Sequence, residues 1–197
     1  MSQNVLIVGA GSGLSASLAR RCHAAGMQVA LAARDGEKAR FAAQETGASL
    51  HRRDASSIED VAALFAALDA SIGAPDLVVY NPSARLRGPV TELDPEATRA
   101  AIETTCFGAF LVAQQAARRM LARGSGSILF TGASAGVKGF ANSSVFAMGK
   151  FGLRGLAQSL ARELHPQNIH IGHFVIDGGI ASDRPDRQDD SGDQMLD

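Results

Sequence analysis

The apolar run Val5-Leu6-Ile7-Val8 leads directly into Gly9-Ala10-Gly11-Ser12-Gly13-Leu14-Ser15. This junction constrains the fold more than any other stretch of the chain. A short, continuous apolar run suits a strand covered on both faces. Glycines straight after it let the backbone turn sharply into a helix, whose N-terminal amide groups then face an anion resting on the loop. The spacing also discriminates. A G-x-G-x-x-G pattern needs glycine at position 14, where Leu14 stands, whereas Gly9, Gly13 and Ser15 fit G-x-x-x-G-x-small. Between a strand and a helix, such a loop is expected to seat the pyrophosphate of a dinucleotide against Gly9, Gly11, Ser12, Gly13 and Leu14.

The rest of the chain repeats the pattern of strand and helix. Val5–Val8, Val29–Ala32, Ala48–His51, Leu77–Tyr80, Ser127–Thr131 and Ile169–Ile176 read as strands, mostly without polar alternation. A helix is expected to open at Ser56, with Glu59 three residues on as a capping box and Ile58, Val61, Phe65, Leu68 and Ile72 as its apolar stripe. A second opens at Asp94-Pro95 and runs to about Gly124, and a third covers roughly Ser144 to His165 before Pro166. The alternation predicts an α/β fold, a doubly wound parallel sheet of about six strands with helices on both faces. Residues 1–182 form one dinucleotide-binding domain in this reading. Residues 183–197, with six aspartates and two arginines, are expected to be a flexible acidic tail or a lid. No further strand is expected in them, and the helix and strand that usually close such a domain are expected to be lacking.

The 197 residues suit a single domain, and at 46% hydrophobic and 20% charged they carry enough apolar material for a core. A net charge of −1 without a basic block argues against nucleic-acid binding. Cys22 and Cys106 lie far apart in apolar helical segments and read as buried thiols, with no metal site implied. No apolar run is long enough to span a bilayer and no leader is read at the N-terminus, so a cytoplasmic location is expected.

The second strand ends Ala32-Ala33-Arg34-Asp35. An acid at a strand tip binds the ribose 2′-hydroxyl of NAD, whereas a small residue followed by arginine admits and neutralises the 2′-phosphate of NADP. Arg34 therefore points to NADP over NAD, with an ordinary surface charge as the alternative reading. Asp35 reads as a cap for the next helix.

These residues resemble the short-chain dehydrogenase/reductase family, over nearly the whole chain. Gly9, Gly13 and Ser15 match its T-G-x-x-x-G-x-G loop, with Val8 for threonine. Asp54 matches an aspartate that contacts adenine, and within Tyr80-Asn81-Pro82-Ser83 only Asn81 keeps the family's N-N-A-G. Phe146-Ala147-Met148-Gly149-Lys150 occupies its Y-x-x-x-K, Asp177-Gly178 its Pro-Gly, and Ser182 the place of a threonine that contacts the nicotinamide carboxamide. The resemblance implies a Rossmann-type fold and a nicotinamide cofactor bound by Gly9, Gly11, Ser12, Gly13, Leu14, Arg34, Asp54, Asn81, Lys150, Gly178, Ile180 and Ser182. It also implies a homodimer or homotetramer through the 97–123 and 144–165 helices. Their small residues, Gly108 in one and Gly149, Gly152 and Gly155 in the other, allow close approach either there or at the sheet. The charged face with Arg118, Arg119 and Arg123 reads as solvated.

The departures fall on the chemistry. The family's tyrosine, serine and asparagine positions carry Phe146, Ala133 and Thr105, and only Lys150 survives of the four. Phenylalanine has no titratable group. A replacement proton donor is sought in Ser134, in the Ser143/Ser144 pair, or in Lys150 acting directly or through water. Tyr80 reads as packed core, and His165, His170 and His173 as structural or surface groups at the far end of the last helix and strand. Two readings follow: an NADP(H)-dependent oxidoreductase acting by hydride transfer on an unknown carbonyl or alcohol with a non-standard proton donor, or a catalytically silent NADP(H)-binding sensor or partner subunit.

Overall fold

The computed structural model describes residues 3–180 and 195–196. Six strands form one parallel sheet: β1 Asn4–Val8, β2 Gln28–Ala33, β3 Ser49–Arg52, β4 Leu77–Tyr80, β5 Gly126–Thr131 and β6 Ile169–Phe174. Their order is β3-β2-β1-β4-β5-β6. Six α-helices connect them: α1 Leu14–Ala24, α2 Glu37–Thr46, α3 Ile58–Ala70, α4 Pro95–Ile102, α5 Gly108–Arg123 and α6 Ser144–Leu164.

Side chains alternate across the strands, so each strand feeds two cores. Val5, Ile7, Val29, Leu31 and Val79 pack with the alanines of α1 and α2 on one face. Leu6, Val8, Val78, Tyr80, Ile128 and Phe130 pack with α3, α5 and α6 on the other. The chain thus has the expected doubly wound architecture. Between β1 and β4 the strand order reverses, which leaves a crevice at their C-terminal ends.

Several local expectations are corrected. The cap of α3 is Ser57, whose Oγ accepts from the Asp60 amide, while Ser56 bonds to Asp54 instead. Ile58, in the first turn, lies outside the stripe at 61% exposure, and Leu64 is in the core. Strand β6 ends at Phe174, two residues early. A two-residue strand β7, Gly179–Ile180, pairs in parallel with β8, Met195–Leu196, where no strand was expected; Met195-Leu196 is the one apolar pair in the acidic tail. Ser182 and the rest of the 183–197 segment lie outside the described residues. Arg119 and Arg123 are not simply solvated, since Arg119 pairs with Asp69 and Arg123 with Asp76. The two thiols are free and half-buried.

The helix expected from Asp94 to Gly124 is interrupted by a π turn, Glu103–Phe107. The cause is visible. The Gly108 amide donates to Glu103, five residues back, which frees the Thr104 carbonyl. The fully buried Tyr80 hydroxyl donates to that carbonyl. Glycine is required at 108 because a Cβ there would stand 2.6 Å from the Tyr80 oxygen and 2.7 Å from the Ala55 carbonyl.

Candidate functional site

The loop after β1 lies in the crevice. Gly9 has φ +79°, and a Cβ there would meet the Pro82 nitrogen at 2.6 Å, so only glycine lets the β1 and β4 loops approach this closely. The amides of Gly9 and Ala10 both donate to the Ala32 carbonyl, fixing the loop to the end of β2. Gly13 precedes α1, whose N-terminus has no side-chain cap and no acidic residue in its first turn. A helix start of that kind, beside a backbone with no room for a Cβ, fits the phosphates of a dinucleotide.

A chain of hydrogen bonds runs from this loop across the sheet. The buried Ser15 hydroxyl donates to the Gly9 carbonyl at 3.0 Å and accepts from Asn81 Nδ2 at 2.8 Å. Asn81 Oδ1 accepts from the Thr131 hydroxyl at 2.9 Å. The Thr131 carbonyl in turn accepts from Lys150 Nζ at 2.7 Å. Lys150 is 3% exposed. Its pKa is lowered from 10.5 to about 8, first by burial and then by the charge of Arg85.

A small apolar cluster lies beside Lys150. Ala133, Ala135 and Phe146 form a small buried cluster of their own, and the Lys150 ammonium lies 5.8 Å from the Phe146 ring centre. Ser134 is half-buried at the start of a short 3₁₀ turn, its amide bonded to the Ile176 carbonyl. Thr105 sits in the π turn, and its hydroxyl accepts from the Ala84 amide at 3.1 Å. Gly149 packs on Thr105 and Gly152 on Cys106, so these small residues serve contacts inside the fold, whereas Gly155 faces open space.

At the other end of the crevice, Asp54 accepts from the amide and hydroxyl of Ser56. Partial burial pushes its pKa up, but those hydrogen bonds and the Arg34 charge outweigh it, and the net shift is downward. Arg34 is exposed at the tip of β2, and its carbonyl accepts from Arg52 Nε. Asp35 accepts from the Glu37 amide beside the start of α2. Gly178 has φ +148° just before β7, which holds Ile180.

Sequence reasoning missed three residues. Arg53 lies next to Asp54, and its buried Nε has no partner among the described residues; the run Arg52-Arg53 before Asp54 was the available signal. His173 is not at the far end. It pairs with Phe130 near the C-terminal end of the sheet, and its Nε2 abuts Gly132, where a Cβ would stand 2.4 Å away. That nitrogen is buried without a partner among the described residues. Burial, then Lys150 and Arg154, lower its pKa. Arg85 places its guanidinium carbon 4.5 Å above the centre of the Phe146 ring, a contact between distant segments that no local pattern announces. Tyr80, by contrast, is core as expected.

The profile of the short chain dehydrogenase family matches residues 3–189. The chain belongs to the short-chain dehydrogenase family. It is 32% identical over 177 residues to the trans-4-hydroxycyclohexanecarboxylate dehydrogenase of Sinomonas cyclohexanicum, covering 84% of this chain and 68% of that protein. It is 29% identical to the 3-oxoacyl-[acyl-carrier-protein] reductase MabA of Mycobacterium bovis, covering 93% and 71%. Among solved structures, a short-chain dehydrogenase from Rhodopseudomonas palustris superposes with a TM-score of 0.82 at 36% identity, over 93% of this chain and 85% of that one. An actinorhodin polyketide ketoreductase solved with NADPH gives 0.88 at 28% identity, over 92% and 72%. Members of this family are NAD(P)-dependent oxidoreductases, and this chain is an oxidoreductase of that type. No helix among the described residues is long and apolar enough to cross a membrane.

Proposed function

We propose that the chain is an NADP(H)-dependent reductase or dehydrogenase in which Lys150 takes over the proton transfer that a tyrosine performs in most of its relatives, Phe146 standing in the tyrosine's place. The observation that carries this reading is the unbroken set of hydrogen bonds from the Gly9 carbonyl through Ser15, Asn81 and Thr131 to Lys150. It ties the phosphate loop to the ammonium group, so that one rigid frame sets the distance between them.

The nucleotide, when bound, supplies or accepts the hydride. Gly9, Gly11, Ser12, Gly13 and Leu14 would hold its phosphates, Asp54 its adenine, and Asn81, Gly178, Ile180 and Ser182 its nicotinamide end. Arg34, with Arg53 and its unpartnered Nε beside it, favours a 2′-phosphate and hence NADP. Lys150 is protonated at neutral pH and has a pKa of about 8. It can therefore give a proton to a carbonyl oxygen at pH 7 and take one back from an alcohol above pH 8. Ser134 is the second candidate donor, half-buried at the same end of the sheet.

A homodimer is supported by the outer faces of α5 and α6, which expose Phe110 and Leu121 on one helix and Met148 and Phe151 on the other, with Phe107 stacked on Phe110. The catalytically silent reading rests on the Ala133, Ala135 and Phe146 cluster, which sets no hydroxyl beside Lys150.

Titration with NADPH, followed by nicotinamide fluorescence, tests the reading together with turnover of cyclohexanone, 4-oxocyclohexanecarboxylate and ethyl acetoacetate. Turnover that Lys150→Met abolishes is expected. Tight NADPH binding with no turnover of any carbonyl would favour the silent sensor, and no NADPH binding would end both readings.

A further inference from the structure

The Nε2 atom of His173 is buried without a partner, and an orphaned polar atom of that kind needs an explanation. Its surroundings follow from the alternation of β6. Gly172 lies against Leu129, His170 and Phe174 on one face. Ile169 and Ile171 pack on the other, into the core that holds Leu153 of α6. His173 shares the face of Ile169 and Ile171, in register with the buried Phe130, and is therefore turned toward α6. There Nε2 abuts Gly132, while the ring's other nitrogen, Nδ1, is not enclosed in this way. Gly132 directly follows Thr131, whose carbonyl accepts from Lys150 Nζ at 2.7 Å. The imidazole and the ammonium thus meet adjoining residues of one backbone segment. Lys150 and Arg154, one turn apart on α6, both act on His173 through their charge. From Gly126 to Gly136, β5 and the turn after it bring no charged residue.

An ammonium carries three donors, and Lys150 directs one of them to Thr131. From this arrangement we infer that His173 returns the proton to Lys150 through one bridging water, with Nε2 on the inner side of the relay and Nδ1 on the solvent side. Once Lys150 has given a proton to the carbonyl oxygen, its neutral amine takes one from the water. The water takes the Nε2 proton, and Nδ1 takes a proton from solvent, so the ring leaves the step neutral in its other tautomer. In the oxidising direction every transfer runs backwards. His173 does not touch the substrate in this scheme. It is a positioning residue for the Lys150 proton, and its role rests on the reading of Lys150 as proton donor. The pKa of His173, held down by burial and then by Lys150 and Arg154, suits a ring that is neutral at rest and yields a proton readily to an amine.

Two measurements on the full chain test the relay. The first needs no turnover. An NMR titration of the His173 ring, assigned through its backbone, is compared between the wild type and Lys150→Met. Removing the charge of Lys150 is expected to raise the His173 pKa, and an unmoved pKa overturns the inference. The second follows reduction of cyclohexanone and ethyl acetoacetate by NADPH. His173→Gln keeps a hydrogen-bonding group but cannot pass a proton. It is expected to lower kcat roughly tenfold, less than the ~10²–10⁴ of a direct acid–base group, with KM unchanged. In His173→Ala, added imidazole is expected to restore part of the lost kcat, which a purely structural histidine would not allow. A kcat that survives His173→Gln but not Lys150→Met sinks the relay and leaves Lys150 as the donor. Turnover that survives Lys150→Met defeats both, as does a wild type that binds NADPH and reduces neither ketone.

Discussion

The Lys150 ammonium donates a hydrogen bond to the carbonyl of Thr131, 2.7 Å away, and the Thr131 hydroxyl donates one to Asn81 Oδ1. Lys150 and Asn81 are therefore joined through one residue at the tip of β5. A buried cation with one carbonyl partner among the described residues is poorly solvated, which together with the charge of Arg85 is why its pKa falls from 10.5 to about 8.

That displacement makes stability depend on pH in a defined direction. Below about pH 8 the amine is protonated in both folded and unfolded chains, and burying its charge costs stability. Between about 8 and 10.5 only the unfolded chain keeps the proton, so the unfolded state binds more protons and stability rises with pH. Above 10.5 the difference is constant. Urea unfolding is expected to show the wild type gaining stability relative to Lys150→Met across this window, by on the order of 3 kcal/mol in total. A flat difference between the two proteins would show that Lys150 is not desolvated.

The π turn gives a second prediction. Tyr80→Phe leaves the Thr104 carbonyl buried and unpartnered by the hydroxyl. A stranded buried acceptor costs about 1–3 kcal/mol, and a loss of that size is expected in the midpoint of urea unfolding with no change in slope. Gly108→Ala drives a methyl to within 2.6 Å of the same oxygen and 2.7 Å of the Ala55 carbonyl. It should cost more than Tyr80→Phe, and the double variant should cost less than the sum, because both changes strike one contact. Strict additivity would separate Tyr80 from the π turn.

What could be read beforehand divides along physical lines. The strands were legible because sheet burial is local and periodic: Val5, Ile7, Leu6 and Val8 announce two covered faces by composition alone. The tight loop after β1 was legible because a φ of +79° at Gly9 leaves a glycine in the sequence. The π turn was not, because it depends on Tyr80 reaching from β4 to a helix more than twenty residues later. Arg85 was missed for the same reason, as its partner Phe146 lies in α6. His173 was misplaced because its position along β6 was judged without the register, which sets it opposite Phe130.

The charges of Arg34 and Arg53, at the end of the crevice proposed to hold the adenine, supply the next prediction. Arg34→Glu puts a carboxylate where a 2′-phosphate would sit and leaves an acid at the strand tip, the arrangement suited to a ribose diol. The Kd for NADPH is expected to rise at least tenfold while that for NADH stays level or falls. Arg53→Ala should weaken NADPH less, because Arg34 remains. An unchanged ratio of the two Kd values in Arg34→Glu would place the 2′-phosphate elsewhere, and with it the assignment of NADP.

The last prediction concerns Phe146 and Ala133, which pack together in an apolar cluster next to Lys150. Phe146→Tyr adds a hydroxyl to a ring whose centre lies 5.8 Å from the Lys150 ammonium and 4.5 Å from the Arg85 guanidinium carbon. Both cations stabilise a phenolate, so the introduced tyrosine should have a lowered pKa and serve as acid and base near neutral pH. Ala133→Ser supplies a second donor for the carbonyl oxygen. Positioned acid–base groups contribute ~10²–10⁴ in rate, and the pair is expected to raise kcat for 4-oxocyclohexanecarboxylate by roughly 10² or more, at the low end of that range because Lys150 already supplies part of the effect. KM should change little, since both hydroxyls are aimed at the reacting carbonyl and act mainly in the transition state. The gain should vanish on adding Lys150→Met. A double variant that folds, binds NADPH and gains nothing would mean that the substrate's oxygen does not approach the Phe146 ring, and Lys150 would then lose its place as the proton donor.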